Sequence, residues 1–206
     1  VAVVRFGVDE FIDTQKIARI FWVRLIILLA NLVLVVSLSP LWFQPLADWL
    51  KLTPDAFWLV ILHFTVTAFW IHIQVSLQGV KMPREQGFLQ MTERLTILVG
   101  FLVLIGLGRL DFFWVVVCYI SAPAAMLLIG LTRLRTFILS SFSVDAEFIK
   151  KVILYSAPLA PMVLIGYFSG SYLDAIFVTN FLSTTDLGIY SVATQMNGIV
   201  LQLPTL

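Results

Sequence analysis

The sequence has little charge and almost no cysteine for its length. Among 206 residues, 12% are charged and Cys118 is the single cysteine, whereas 60% are apolar and the mean hydropathy is +1.00. A soluble domain of this size cannot bury so large an apolar fraction. One cysteine excludes an intrachain disulfide framework, and a net charge of +1 gives no indication of nucleic-acid binding. The composition therefore indicates that lipid, not water, is the main solvent.

The sequence also lacks the short motifs that carry most enzymatic chemistry. It has no His/Cys/Asp/Glu spacing typical of a metal site, no Gly-rich phosphate loop, no nucleophile elbow and no facing pair of loop carboxylates. His63 and His72 are nine positions apart, which places them on opposite faces of a helix and not on one face as two metal ligands. We therefore expect neither an enzyme nor a cofactor nor a metal site.

Long apolar stretches with little or no charge recur along the chain. About 20 helical residues cross the roughly 30 Å of hydrocarbon in a bilayer, and a helix is the only reasonable spanning element for stretches of this length. Six stretches qualify, the third of them with a helix that begins near Gln90: residues 25–43, 56–80, 95–108, 112–132, 152–171 and 187–206. The sequence predicts an all-α, polytopic transmembrane helical bundle with six spans.

The basic residues alternate between the two sides of these spans. Four of the thirteen Lys and Arg residues precede span one, three lie in residues 79–94, and four lie in residues 132–151. The other connections hold only Lys51 and Arg109. Cytoplasmic loops are enriched in basic residues, so we expect these three segments to face the cytoplasm and span one to run outward.

Turn signals and apolar patterns give the remaining organisation. We interpret residues 1–6 as the end of an earlier helix and residues 9–22 as a cytoplasmic helix that leads into span one. Ser39-Pro40 and Thr53-Pro54 are turn signals that bracket a predicted outer loop. The sequence begins at Val1 without a methionine, and we interpret it as an internal fragment of a longer chain.

The connection 132–151 differs from the others because it mixes aromatic and aliphatic residues with four basic and two acidic ones. Such a composition is typical of an amphipathic segment that lies on the membrane surface. We therefore place a boundary between two parts of the chain here, with residues 1–139 on one side and residues 140–206 on the other.

Span two carries polar residues on two sides. One stripe is made of His63, Thr67, Trp70, Gln74 and Gln78, and the other of Thr65, His72 and Ser76. Polar groups within a span are costly, on the order of 3 kcal/mol for a central charge, so a helix with two polar sides cannot face lipid on either. We expect span two inside the bundle, where each histidine either bonds to a neighbouring helix or lines a substrate or proton path.

Further candidates lie in other spans, and each has a structural alternative. In span six, Gln195 and Asn197 belong to a broad polar face that serves either helix packing or a wet cavity. In span five, Asp174 is the only carboxylate that we expect near a span core; it lies near the outer boundary, as part of a path mouth or as a capping group. Arg24, at the cytoplasmic start of span one with Asn31 two turns further on, either meets a phosphate at an inward-open mouth or extends its charge toward headgroups.

Span five also carries four helix-weakening residues, Pro158, Pro161, Gly166 and Gly170. They permit a bend that neighbouring groups must stabilise. Both a hinge and a tolerated kink are consistent with them.

The C-terminal third carries a family resemblance. It reads Tyr155-Ser-Ala-Pro-Leu-Ala-Pro161, then Ser171-Tyr-Leu-Asp174, and then Leu187-Gly-Ile-Tyr190. In order and spacing this resembles the polysaccharide-export and O-antigen flippase branch of the multidrug/oligosaccharidyl-lipid/polysaccharide exporter (MATE-like) superfamily. There, a proline-bearing seventh helix with an Asp near its outer end precedes a Leu-Gly-x-Tyr entry to the eighth.

The resemblance implies a two-lobe transporter fold. Residues 1–139 would supply the end of helix two to helix six of the first lobe, and residues 140–206 an amphipathic linker and helices seven and eight of the second. The implied function is translocation of a lipid-linked oligosaccharide, an undecaprenyl-pyrophosphate-linked glycan, across the inner (plasma) membrane by alternating access. A coupling ion is left open.

The pyrophosphate of such a substrate requires cationic groups, and no Lys or Arg lies at the middle of a predicted span. Either the cations lie on helices beyond this chain, or His63, His72 and Arg24 handle the substrate. The candidate substrate-path residues are Arg24, His63, His72, Gln74, Asp174, Gln195 and Asn197. Two alternative functions are an ion-coupled multidrug or small-solute antiporter of the same fold and a membrane-embedded glycan polymerase or acyltransferase.

Overall fold

The computed structural model describes residues 2–50, 54–139 and 145–159 and scattered positions between 161 and 193. The described part is helical and contains no strand. Its elements are α1 (Ala2–Thr14), α2 (Ala18–Leu50), α3 (Pro54–Gly79), α4 (Pro83–Gly106), α5 (Phe112–Ile138), α6 (Ala146–Ser156) and a 3-10 turn (Ala157–Leu159). The chain forms two compact units, Val1–Ile149 and Lys150–Leu206.

Four of these helices are long and apolar enough to cross a membrane. They cover Ala18–Leu41, Ala56–Gly79, Pro83–Gly106 and Phe112–Ile138. They coincide with the first four predicted spans, so the prediction of an all-helical, multi-pass membrane protein is confirmed. The sixth predicted span falls mostly outside the described residues. The fifth is described only in part, with α6 ending at Ser156 and a 3-10 turn at Ala157–Leu159. Both spans stay predictions.

The predicted cytoplasmic helix over residues 9–22 is wrong. Helix α1 runs without a break from Ala2 to Thr14, the backbone turns at Gln15 with φ 58°, and α2 begins at Ala18. The Glu10 carboxylate then accepts hydrogen bonds from the backbone N–H groups of Arg19 (2.8 Å) and Ile20 (3.0 Å). These first-turn amides have no partner within their own helix, so a side chain of α1 caps α2.

The predicted outer loop that starts at Ser39 is also wrong, because α2 continues through Pro40 and Pro45 to Leu50. A proline within a helix removes the hydrogen bond to the carbonyl four residues earlier, which for Pro40 is that of Val36. The Ser39 hydroxyl donates to this Val36 oxygen at 2.7 Å. The freed carbonyl is therefore satisfied, and the helix is not interrupted.

The two connections expected on the cytoplasmic side are shorter than the sequence predicts. Residues 83–89, expected in a loop, form the first turns of α4, which starts with Pro83 in its first turn, a position where a missing N–H costs nothing. Lys81 makes the turn before it with φ 58°. The expected surface segment 132–151 contracts in the same way, since α5 extends to Ile138 and α6 begins at Ala146.

Helix α3 is the central element of the unit Val1–Ile149. It packs against α1, α2, α4 and α5, as the two polar stripes predict. It lies close to α5 at Gly130, where a Cβ would collide with the Ile73 side chain and lie 3.4 Å from Trp70 Cζ3. The absence of a side chain at Gly130 therefore permits this close contact between α3 and α5.

The substitution Gly130→Ala should destabilise the protein. The added methyl group overpacks the α3 and α5 contact, and overpacking costs typically 1 to 3 kcal/mol, more than the gain of up to about 1 kcal/mol in helix propensity from Gly to Ala. We expect the thermal midpoint of the full-length protein in detergent to fall by several degrees.

Gly87→Ala in α4 is the matched control, because nothing lies within 4 Å of the Cβ position at Gly87. It should leave the midpoint unchanged or raise it. Equal midpoints for the two variants would contradict a tight contact at Gly130.

Candidate substrate path along helix α3

The first polar stripe of α3 faces α4 and is hydrogen-bonded there. Trp70 Nε1 donates to Glu93 Oε2 at 2.7 Å, and Gln90 Nε2 donates to Gln74 Oε1 at 3.0 Å. Gln74 thus forms a hydrogen bond with a neighbouring helix. Its role in a substrate path stays a prediction.

Glu93 is a membrane carboxylate that the sequence analysis missed. Its residue is 8% exposed and Trp70 is 1% exposed, so this carboxylate is removed from water and depends on the indole N–H for stabilisation. Asp174 is therefore not the only carboxylate near a span core. Glu93 was not among the candidates because it directly precedes Arg94, outside the charge-free stretch 95–108 assigned to span three, although it lies about 15 Å along α4 at roughly 1.5 Å per residue.

The outer part of the same stripe has polar atoms without partners. His63 Nδ1 and Thr67 Oγ1 are both buried, and neither makes a hydrogen bond to any described residue. They are four positions apart and hence share a helix face. The His63 ring meets Tyr119 of α5 edge to face, with centroids 6.3 Å apart. Because buried polar groups in folded proteins are nearly always paired, this face is a candidate contact for water, substrate or residues outside the described part.

The second stripe faces α2. His72 is 1% exposed and its ring centroid lies 4.5 Å from that of Phe21. Neither ring nitrogen of His72 has a hydrogen-bond partner among the described residues. Ser76 is satisfied, since its hydroxyl donates to the His72 carbonyl at 2.8 Å. His72 is thus a second buried group with free hydrogen-bonding capacity.

Arg24 of α2 lies within electrostatic range of His72. Its Nη1 atom is buried and makes no hydrogen bond to a described residue, and the ion pairs found in the described part do not include it. A guanidinium presents a planar fork of N–H donors that matches phosphate and carboxylate oxygens. Arg24 is therefore a cation with a donor still available for an anion.

A cavity of about 230 Å³ lies between α2 and α3 beside Arg24. Its polar lining is Arg24 and Asn31, and its apolar lining is Ile27, Leu28, Leu32, Phe64 and Ala68. The structure thus brings two predicted candidates, Arg24 and His72, to one side of α3, and leaves His63 and Gln74 on the other.

Three predicted candidates, Asp174, Gln195 and Asn197, lie outside the described residues and stay predictions. In the described part, no group of three or more His, Cys, Asp or Glu side chains is placed to hold a metal ion. Chemically, the groups on α3 and α2 can donate and accept hydrogen bonds and attract an anion.

The predicted hinge residues are described only in part. Pro158 lies in the 3-10 turn Ala157–Leu159 that follows α6. Pro161 and Gly166 are helical and exposed, and a Cβ at Gly166 would meet nothing within 4 Å. Gly170 lies outside the described residues. A bend in this segment stays a prediction.

The Trp70 and Glu93 pair should be energetically coupled. Trp70→Phe removes the indole donor and leaves the carboxylate buried without it, which costs about 1 to 3 kcal/mol. In the double variant Trp70→Phe/Glu93→Gln, the loss in free energy of unfolding should be smaller than the sum of the losses in the two single variants. We expect a coupling of at least about 0.5 kcal/mol. Unfolding of the four proteins of this cycle in detergent measures the coupling.

Trp58→Phe is the matched control, because Trp58 on the same helix is 66% exposed. It should show no coupling to Glu93→Gln. Additive losses in free energy of unfolding for Trp70→Phe and Glu93→Gln would contradict a stabilising hydrogen bond between these two side chains.

Comparisons with known proteins complete the description of this site. No curated protein and no solved structure matches the chain. A family model described as polysaccharide biosynthesis protein matches residues 1–204, which is nearly the whole sequence, and the chain therefore belongs to the polysaccharide biosynthesis protein family.

Proposed function

We propose that this chain is part of a flippase that moves a lipid-linked oligosaccharide from the inner to the outer leaflet of the inner (plasma) membrane by alternating access. The proposed substrate is an undecaprenyl-pyrophosphate-linked glycan, and the fold is the two-lobe MATE-like arrangement that the sequence resembles. Membership in a polysaccharide biosynthesis family and four long apolar helices support this proposal. Translocation requires no covalent chemistry from the protein.

One observation carries the proposal: on two faces, the central membrane helix has buried polar atoms that make no hydrogen bond to a described residue. They belong to His63 and Thr67 on one face and to His72 on the other. An unsatisfied polar group in hydrocarbon costs several kcal/mol, so such groups persist in a span where protein, water or a polar substrate can meet them. A polar glycan that crosses the bilayer needs such groups along its path.

A second candidate, an ion-coupled antiporter of the same fold, is favoured by Glu93. A buried carboxylate in a membrane helix is a group at which a coupling ion can bind. The same residue would equally couple a flippase to an ion, so Glu93 alone does not distinguish an antiporter from a flippase. The identity of the transported solute distinguishes them.

Deletion of the gene in the native host should stop export of the polysaccharide and cause lipid-linked repeat units to accumulate. The accumulated units should face the cytoplasm, because a flippase acts before any outer-leaflet step. Extraction of the lipid-linked pool, with and without treatment of intact cells by a membrane-impermeant glycosidase, measures both amount and side. Complementation with the intact gene is the control.

Two results would contradict the flippase. Unchanged polysaccharide together with lost drug tolerance would indicate the antiporter. Single repeat units that accumulate in the outer leaflet and are digested in intact cells would indicate a polymerase that acts after translocation.

A further inference from the structure

The cavity between α2 and α3 has an ordered arrangement along the two helices. Arg24, Leu28 and Leu32 follow at four-residue steps along α2, and Phe64 and Ala68 are four residues apart on α3. Residues four apart lie on one face of a helix, so each helix presents one face to the cavity. Arg24 lies at one end of the α2 face, and apolar side chains follow for two helical turns.

The charged end of this cavity holds a hydrogen-bond donor that does not reach water. An arginine near a membrane boundary can extend its charge into the headgroup region, but Nη1 of Arg24 is buried and makes no hydrogen bond to a described residue. A buried donor without an acceptor is costly, and a bound phosphate would satisfy Arg24 through paired N–H···O hydrogen bonds.

The apolar end fits hydrocarbon rather than sugar. Apart from Asn31, the lining beyond Arg24 consists of aliphatic residues, Phe64 and Ala68. The volume of about 230 Å³ lies below the 300 to 1,000 Å³ usual for a pocket that holds a whole drug-sized ligand. It is the space of seven or eight waters at about 30 Å³ each, which suits a short stretch of one chain and not the two chains of a phospholipid.

We infer that the cavity between α2 and α3 binds the phosphate-bearing end of a single-chain polyprenyl lipid, with the phosphate at Arg24 and the first prenyl units along Leu28, Leu32, Phe64 and Ala68. This inference rests on the proposed function in that the lipid is the carrier of the translocated glycan. It places the carrier on the α2 side of α3, opposite to His63 and Thr67, so that lipid and sugar would contact different faces of one helix.

Binding of a polyprenyl phosphate to the purified full-length protein, measured by native mass spectrometry or by ligand-induced thermal shift, tests the inference. Arg24→Gln should weaken binding at least tenfold, and Ala68→Phe, which fills the apolar end, should weaken it similarly. The matched controls are Arg94→Gln and Ala125→Phe, since both residues are exposed; they should bind as the unmodified protein does. The thermal midpoint of each variant without lipid shows whether it folds, and Arg24→Lys serves in place of a misfolded Arg24→Gln, with an intermediate affinity expected.

Binding of other lipids tests whether the bound phosphate belongs to a polyprenyl lipid or to a phospholipid headgroup. Polyprenol, which lacks the phosphate, should bind at least tenfold more weakly than polyprenyl phosphate. Phosphatidylglycerol that binds as tightly, with the same dependence on Arg24, would overturn the inference in favour of a general headgroup site. Equal weakening by Arg24→Gln and Arg94→Gln, or no weakening by Ala68→Phe, would overturn the site itself.

The outcome is separable from that of the proposed function. If deletion of the gene causes inward-facing lipid-linked units to accumulate while Arg24→Gln binds normally, the flippase stands and this site fails. If the binding results are as expected while deletion leaves the lipid-linked pool unchanged, the lipid site stands and the flippase fails.

Discussion

The fold depends on one constraint: hydrocarbon offers no hydrogen bonds, so the polar groups of α3 must be satisfied from within the protein or by what the protein binds. This constraint explains why α3 is the helix that packs against α1, α2, α4 and α5. It also explains the glycine in α5 at the contact, because Gly130 lets α5 approach Trp70 and Ile73 closely. The polar residues Trp70, His72 and Ser76 of the central helix are thus buried among its neighbours.

The constraint is met unevenly on the two sides of α3. Toward α4, Trp70 and Gln74 have partners in Glu93 and Gln90, and this side holds the helices together. Toward α2, His72 and Arg24 have buried atoms that make no hydrogen bond to a described residue, and Arg24 lines a cavity. Such an asymmetry is what a transport protein needs, since one contact must persist while another must exchange its occupant. The outer part of the first stripe, at His63 and Thr67, shares this unsatisfied character.

The sequence was sufficient to predict features that depend on the residue pattern of a long stretch. It was insufficient where the contact of one side chain determines the structure. Hydropathy predicted the first four membrane helices, and the two polar stripes predicted the central position of α3. The break at Gln15 was missed because the apolar pattern of residues 9–22 continues across it. The group that stabilises the start of α2 after the break is the Glu10 carboxylate, which lies on α1. The passage of α2 through Pro40 depends on the Ser39 hydroxyl. Glu93 was missed because it precedes the charge-free stretch assigned to span three, and the cavity beside Arg24 requires the register of two helices.

The most direct test of the central claim is the accessibility of Thr67. In a full-length protein with Cys118 replaced by serine, Thr67→Cys is treated in native membranes with a water-soluble maleimide, and Leu98→Cys serves as the lipid-facing control because Leu98 is 54% exposed on α4. If α3 borders a polar substrate path, Cys at position 67 should react, and its reaction should slow when lipid-linked precursor accumulates. A position 67 that is as unreactive as position 98 would contradict the account.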